Sequence, residues 1–158
     1  MTDVAGPDAA TEPAVGVWFA LDVGSVRVGV ARSDPRMTLA VPVETLQRDP
    51  RTDRDIERFA ELFAEYEGAG VVVGLPRTLA GREGPAVDAA RAYAALVRAR
   101  LPEVDVRYTD ERMTTIVAQR NLSGSGVRGR AQRARVDQAA AVEILQSFLD
   151  REHVRRSQ

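Results

Sequence analysis

VGVWFALDVGSVRVGVARSDP, residues 15–35, decides the fold. Val15 to Val23 is mostly apolar, carries Trp18 and Phe19, and runs into Asp22-Val23-Gly24. Such a run reads as a buried strand with a carboxylate at its carboxyl end. Arg27-Val28-Gly29-Val30-Ala31-Arg32 then alternates with the period of two that a strand imposes. The residues between, Val23-Gly24-Ser25-Val26, are hairpin-like. Thr38 to Leu46 extends the meander, and Pro42 within it suits an edge strand or a bulge, because proline cannot donate to an inner ladder.

Beyond this stretch the hydrophobic period changes. Asp53 to Tyr66 places Ile56, Phe59, Ala60 and Phe63 on one face at helical spacing, with acids and arginines on the other. Gly68 and Gly70 are expected to stop that helix. Val71 to Leu75, ending at Pro76, reads as a strand buried on both faces. Arg77 to Gly84 is a loop, and Pro85 suits the start of a helix over Ala86 to Leu101. Val104 to Tyr108 is a further strand, Thr114 to Leu122 a short helix, and Ser123 to Gly129 a flexible loop by composition. Val136 to Arg151 is a strong final helix. The order β-β-β-α-β-α-β-α-α predicts an α/β fold. Its mixed five-stranded sheet has an antiparallel meander, parallel crossovers and helices on both faces. Residues 1–14 are expected to be a disordered tail, 15–152 the one domain and 153–158 a C-terminal tail.

Composition removes whole classes of chemistry. The 158 residues include no Cys and one His, His153, and every basic side chain is Arg. Thiol nucleophiles, Cys or His zinc sites, Ser-His-Asp triads, Schiff-base lysines and the P-loop lysine are therefore excluded. Carboxylates, hydroxyls, Arg and backbone groups remain. A carboxylate site most naturally holds a hard divalent cation, Mg²⁺ or Mn²⁺. The formal net charge is only −1, but residues 120–135 hold five Arg and no acid. Such a stretch can bind a polyanion locally. No apolar run approaches a membrane span, the first residues resemble no targeting signal, and the expected compartment is the cytoplasm.

Ligands gather at the carboxyl ends of parallel strands in such sheets. Asp22 and Asp110-Glu111 follow strand ends. Asp22 is either a site carboxylate or the residue that opens the hairpin. Asp110 and Glu111 are adjacent, so one can point into a strand-end site and the other away, or one can cap the short helix that follows. Asp137 precedes Ala140, Ala141, Ile144 and Phe148 by i+3, i+4, i+7 and i+11, so it lies on the apolar stripe of the last helix. It is either the N-cap of that helix or a carboxylate lowered onto the strand ends. If the carboxylates meet, a divalent cation removes their mutual repulsion, and two cations would clamp a phosphodiester. Gly124-Ser125-Gly126-Val127-Arg128-Gly129 matches G-x-G-x-x-G but follows a helical pattern, so it lacks the context of a dinucleotide fingerprint.

Four stretches together resemble the YqgF/RuvX family of pre-16S rRNA nucleases, also described as Holliday junction resolvase-like. They are ALDVGSVRVGVARSDP from Ala20, VVVGLPRTLAGREGPA from Val71, VRYTDERMTT from Val106 and VDQAAAVEILQSFL from Val136. The resemblance implies an RNase H-like fold and a metal-dependent nuclease. Its catalytic, metal-holding residues would be Asp22, Glu111 and Asp137, with one or two Mg²⁺ or Mn²⁺ ions and Gly24 and Asp110 in support. Arg27 stands where such proteins carry the second residue of a Lys-Arg pair, the first being Val26 here. Arg27, Arg77, Arg112, Arg128, Arg130, Arg133 and Arg135 are then the candidates for nucleic-acid contact. The expected substrate is the precursor of small-subunit rRNA, within the small ribosomal subunit precursor. Weighed beside it are a four-way DNA junction, which would call for a two-fold dimer, and a non-catalytic RNA-binding assembly factor. A nucleotide-phosphate binder of the actin-like kind ranks last, because it needs a second domain.

Overall fold

Residues 17–23 alternate between two apolar environments, and that requires cover on both sides of the strand they form. The computed structural model, which describes residues 12–76, 84–110 and 130–157, supplies it. The elements are β1 (Val17–Val23), β2 (Arg27–Ser33), β3 (Ala40–Gln47), α1 (Arg54–Glu65), β4 (Gly68–Leu75), α2 (Pro85–Arg100), β5 (Asp105–Asp110) and α3 (Arg130–Arg156). They form one five-stranded sheet in the order β3-β2-β1-β4-β5. β1, β2 and β3 are antiparallel neighbours, while β1–β4 and β4–β5 are parallel. This is the mixed sheet that the meander and crossovers predict. Among the described residues no helix is long and apolar enough to cross a membrane.

The alternation sorts the core. Val17, Phe19, Leu21 and Val23 of β1, Val28 and Val30 of β2, and Val71, Val73 and Leu75 of β4 pack with α1 and α2. Trp18 and Ala20 of β1, Ala31 of β2 and Val72 of β4 pack with Ala141, Ile144, Leu145, Phe148 and Leu149 of α3. β1 is buried along its whole length because it is central and covered on both faces. β3 is an edge, and its register with β2 steps from Val30–Glu44 to Ala31–Pro42. Pro42 thus sits on an edge strand beside a bulge, both of which free it from donating.

Several boundaries differ from the sequence reading. Gly68 and Gly70 are the first part of β4, not the stop of α1. The left-handed residue that ends α1 is Glu67, with φ 53°. The glycines serve the sheet: a Cβ on Gly68 would lie 2.3 Å from the Phe63 ring, and one on Gly70 would lie 2.4 Å from the Trp18 ring. Pro85 starts α2 as expected, after Gly84. β5 extends through Thr109 and Asp110, so Asp110 is the last strand residue rather than a loop residue. α3 starts at Arg130, not Val136, and runs to Arg156, through most of the stretch expected as a tail. The expected helix over 114–122, the loop over 123–129 and residues 1–11 of the N-terminal tail lie outside the described residues.

Candidate active site

Asp22 is 3% exposed, one residue from the end of β1. The parity of Trp18, Ala20 and Asp22 turns its side chain to the α3 face. Its antiparallel partner on β2 is Gly29. On its other side the register Leu21–Val73 brings the next pair, Asp22 and Gly74, to one level. The buried carboxylate is therefore flanked across the sheet by glycine on both sides.

Gly29 lets α3 come down onto this spot. A Cβ on Gly29 would lie 2.1 Å from the carbonyl oxygen of Asp137 and 2.5 Å from its carbonyl carbon. Only a residue without a side chain permits such backbone contact. The next residue, Gln138, donates from Nε2 to Thr45 Oγ1 at 2.9 Å, and Thr45 pairs with Gly29 in the β2–β3 ladder. Asp137 is thus brought to the strand residue that pairs with Asp22. It is not an N-cap, because α3 begins at Arg130 and Asp137 lies within the helix. Its place on the apolar stripe is as the spacing implies, with Ala140, Ala141, Ile144 and Phe148 all buried.

Asp137 has a cationic partner. Arg27 Nε donates to Asp137 Oδ2 at 2.8 Å, with the two side chains 23% and 14% exposed. Arg27 opens β2, on the same face as Gly29 and two residues nearer the hairpin. The hairpin itself is tied down. Gly24 N donates to Arg27 O at 2.8 Å, Arg48 N to Val26 O at 2.8 Å, and Arg48 Nη1 to Gly24 O at 3.1 Å. Gly24 is among the residues expected in support, whereas Arg48 has no signal in the sequence, because its link to the hairpin appears only once β3 is placed beside β2.

At β5 the level of Gly74 continues to Thr109, which is buried and accepts a hydrogen bond from Arg151 of α3. Thr109 therefore faces α3, and Asp110, next along, faces the α2 side. Glu111, Arg77, Arg112 and Arg128 lie outside the described residues. Arg130, Arg133 and Arg135 fall in the first turns of α3 rather than in a loop before it, and Arg135 is exposed. Among the described residues no group of three acidic or histidine side chains is close enough to hold a metal. Asp22 and Asp137 offer oxygen donors only, one of them buried and bordered by glycines. That donor set fits a hard cation and no soft one.

The family model RuvX, described as "Holliday junction resolvase", matches residues 16–151. A protein of Nocardia farcinica named "Putative pre-16S rRNA nuclease" is 53% identical over 149 residues, covering 91% of this chain and 83% of the relative. One of the same name from Mycobacterium sp. strain KMS is 54% identical over 139 residues, covering 88% and 82%. Among solved structures, Thermus thermophilus RuvC aligns with a TM-score of 0.53 at 16% identity, over 89% of this chain and 96% of that one. That likeness shows the fold, an RNase H-like one. The family match spans the strand that delivers Asp22 and the helix that delivers Asp137, and the chain belongs to the RuvX family of nucleases, hydrolases acting on nucleic acid.

Proposed function

We propose that this nuclease is metal-dependent and trims the 5′ end of precursor 16S rRNA, with Asp22, Glu111 and Asp137 as its catalytic carboxylates. The observation that carries the reading is the docking of Asp137 on Gly29, the strand partner of a buried Asp22. Carboxylates gathered at one place raise each other's pKa, and a divalent cation shared between them would remove that repulsion. Glu111 follows β5 directly in the chain, two residues after the α3-facing Thr109. One or two Mg²⁺ or Mn²⁺ ions held by these residues would supply charge neutralisation, an activated water and stabilisation of the leaving oxygen.

The chain's own groups do the rest. Asp22 and Asp137 are held by β1 and α3, rigid elements that fix the acceptor oxygens before substrate arrives. The hairpin bonds from Arg48 keep Arg27 at the rim. Arg27, Arg77, Arg112, Arg128, Arg130, Arg133 and Arg135 are the candidate contacts for the phosphate backbone, arginine being suited to bidentate phosphate binding. Hydrolysis that expels the 3′ oxygen leaves 5′-phosphate and 3′-hydroxyl ends. The cytoplasm, where the precursor of the small ribosomal subunit is met, is the proposed compartment.

The test is cleavage of precursor rRNA and of a synthetic four-way junction, each with Mn²⁺, Mg²⁺ or EDTA. Metal-dependent cutting of the RNA, lost in Asp22→Asn and Asp137→Asn, is expected. Cutting of the junction alone would make the substrate branched DNA. Tight RNA binding without any cutting would make the protein an assembly factor.

A further inference from the structure

The ion pair at the rim carries an inference that rests on the proposed metal site. Asp137, a carboxylate proposed to hold a divalent cation, accepts at Oδ2 from Arg27 Nε at 2.8 Å. A guanidinium and a divalent cation are rivals for one carboxylate. The Arg27 side chain makes no other hydrogen bond to the described residues, its terminal nitrogens Nη1 and Nη2 included. It is also part-exposed, at the open edge of the hairpin, where a phosphodiester chain would approach. The side chain is thus anchored through one nitrogen to a ligand carboxylate, with its other two nitrogens bonded to none of the described residues.

We propose that Arg27 is a built-in counter-cation. In the metal-free protein it neutralises Asp137 and holds that carboxylate in place. When the cation loads, the Nε contact weakens, and the guanidinium is handed to the nucleic-acid backbone. Metal binding and polyanion binding are then coupled through one arginine, and the coupling is reciprocal by linkage. Arg27 is a positioning residue for Asp137 before loading and a backbone contact after it. Lysine would not serve equally, because its three donors share one nitrogen and cannot hold a carboxylate through one nitrogen while presenting a planar pair to a phosphate.

Mn²⁺ affinity of the full-length protein, measured by calorimetry without nucleic acid, tests the competition. Removing the rival in Arg27→Gln is expected to tighten Mn²⁺ binding about fivefold or more. Arg27→Lys keeps the charge but not the Nε contact, and is expected to fall between wild type and Arg27→Gln. Unchanged or weaker Mn²⁺ binding in Arg27→Gln overturns the proposal, as does a lysine variant identical to wild type, which would reduce the effect to charge at a distance. Asp137→Asn separates this from the site itself. If it loses Mn²⁺ binding while Arg27→Gln changes nothing, the counter-cation role alone fails. If Asp137→Asn binds Mn²⁺ as wild type does, the metal-site reading fails and this proposal with it. The hand-over predicts that Arg27→Gln raises KM for RNA several-fold at saturating Mn²⁺, and an unchanged KM overturns that half.

Discussion

The two faces of the sheet are built on different terms. The face under α1 and α2 is filled by large side chains, with Phe19 in contact with Phe59, Phe63 and Tyr66 at ring-centroid distances of 5.5–6.0 Å. Its one buried polar exception among the described residues is Asp55, which accepts a hydrogen bond from the Tyr93 hydroxyl at 2.7 Å. The face under α3 is graded. Trp18 meets Phe148 at one end, Ala20, Ala31 and Ala141 follow, and at the far end Gly29 touches helix backbone. Asp22, Ser33, Arg107 and Thr109, the other buried polar residues described, belong to this face by strand parity. One face is an apolar wedge that buys stability. The other tilts a helix onto the strand ends and concentrates polar groups beneath it.

The contrast is sharpest at Asp22. Asp22→Asn is expected to lower the cleavage rate on the order of 10³-fold, the scale seen when a key transition-state contact is lost. The variant should still fold and unfold cooperatively, because Asn has the shape of Asp and keeps an acceptor oxygen at the same place. A variant that unfolds instead would make Asp22 a structural residue and erase the distinction between the faces. Phe59→Ala is the converse. Phe59 is fully buried on the α1 side, and its truncation should cost about 3–5 kcal/mol by denaturant titration. The rate per folded molecule should stay near wild type.

Gly29→Ala should do both. Its Cβ would meet the Asp137 carbonyl, so α3 must lift, costing about 1–3 kcal/mol for the overpacked contact. A shift of Asp137 by an ångström can cost about 10²-fold in rate. Gly70→Ala, whose Cβ meets the Trp18 ring at the other end of the same face, is the control. It should lose stability and keep its rate. Equal rate losses in both would show that α3 moves as one rigid unit.

Much of this was legible in the sequence, for reasons that differ by residue. The central strands were, because a strand buried on both faces must be apolar throughout, and Val71 to Leu75 is. The stripe that carries Asp137 was, because Ala140, Ala141, Ile144 and Phe148 keep helical spacing. The helix start was not. Arg130 to Arg135 holds no apolar period, and without one the signal begins only at Val136. That error made Asp137 a candidate cap when it lies inside the helix. Gly68 and Gly70 misled in the same way, since glycine both ends helices and makes room for rings. The pairing of Arg27 with Asp137 spans 110 residues, and no local pattern announces a contact at that separation. Gly29 was the available signal, a glycine between valines in a strand, which marks a close approach.

The smallest effect separates the two ends of the α3 face. Asp34 follows β2 and gathers the loop to β3, accepting from Leu39 N, Thr38 N, the Thr38 hydroxyl and Arg36 N at 2.7–3.2 Å. That loop places Met37, at φ 61°, over the Trp18 end of the α3 core. Partial burial alone would raise the Asp34 carboxyl, but the backbone and Thr38 hydrogen bonds outweigh it and pull the pKa from 3.8 down to about 2. The folded value lies below the unfolded one, so the stabilisation is fully present above pH 4 and is lost as the pH falls towards 2. Asp34→Asn should therefore flatten the fall in melting temperature across that window while leaving the rate at neutral pH unchanged. The loop lies at the end of α3 away from Asp137. A change in rate would mean that the two ends are coupled along the helix, and the division of this face into a packed end and a reactive end would have to be given up.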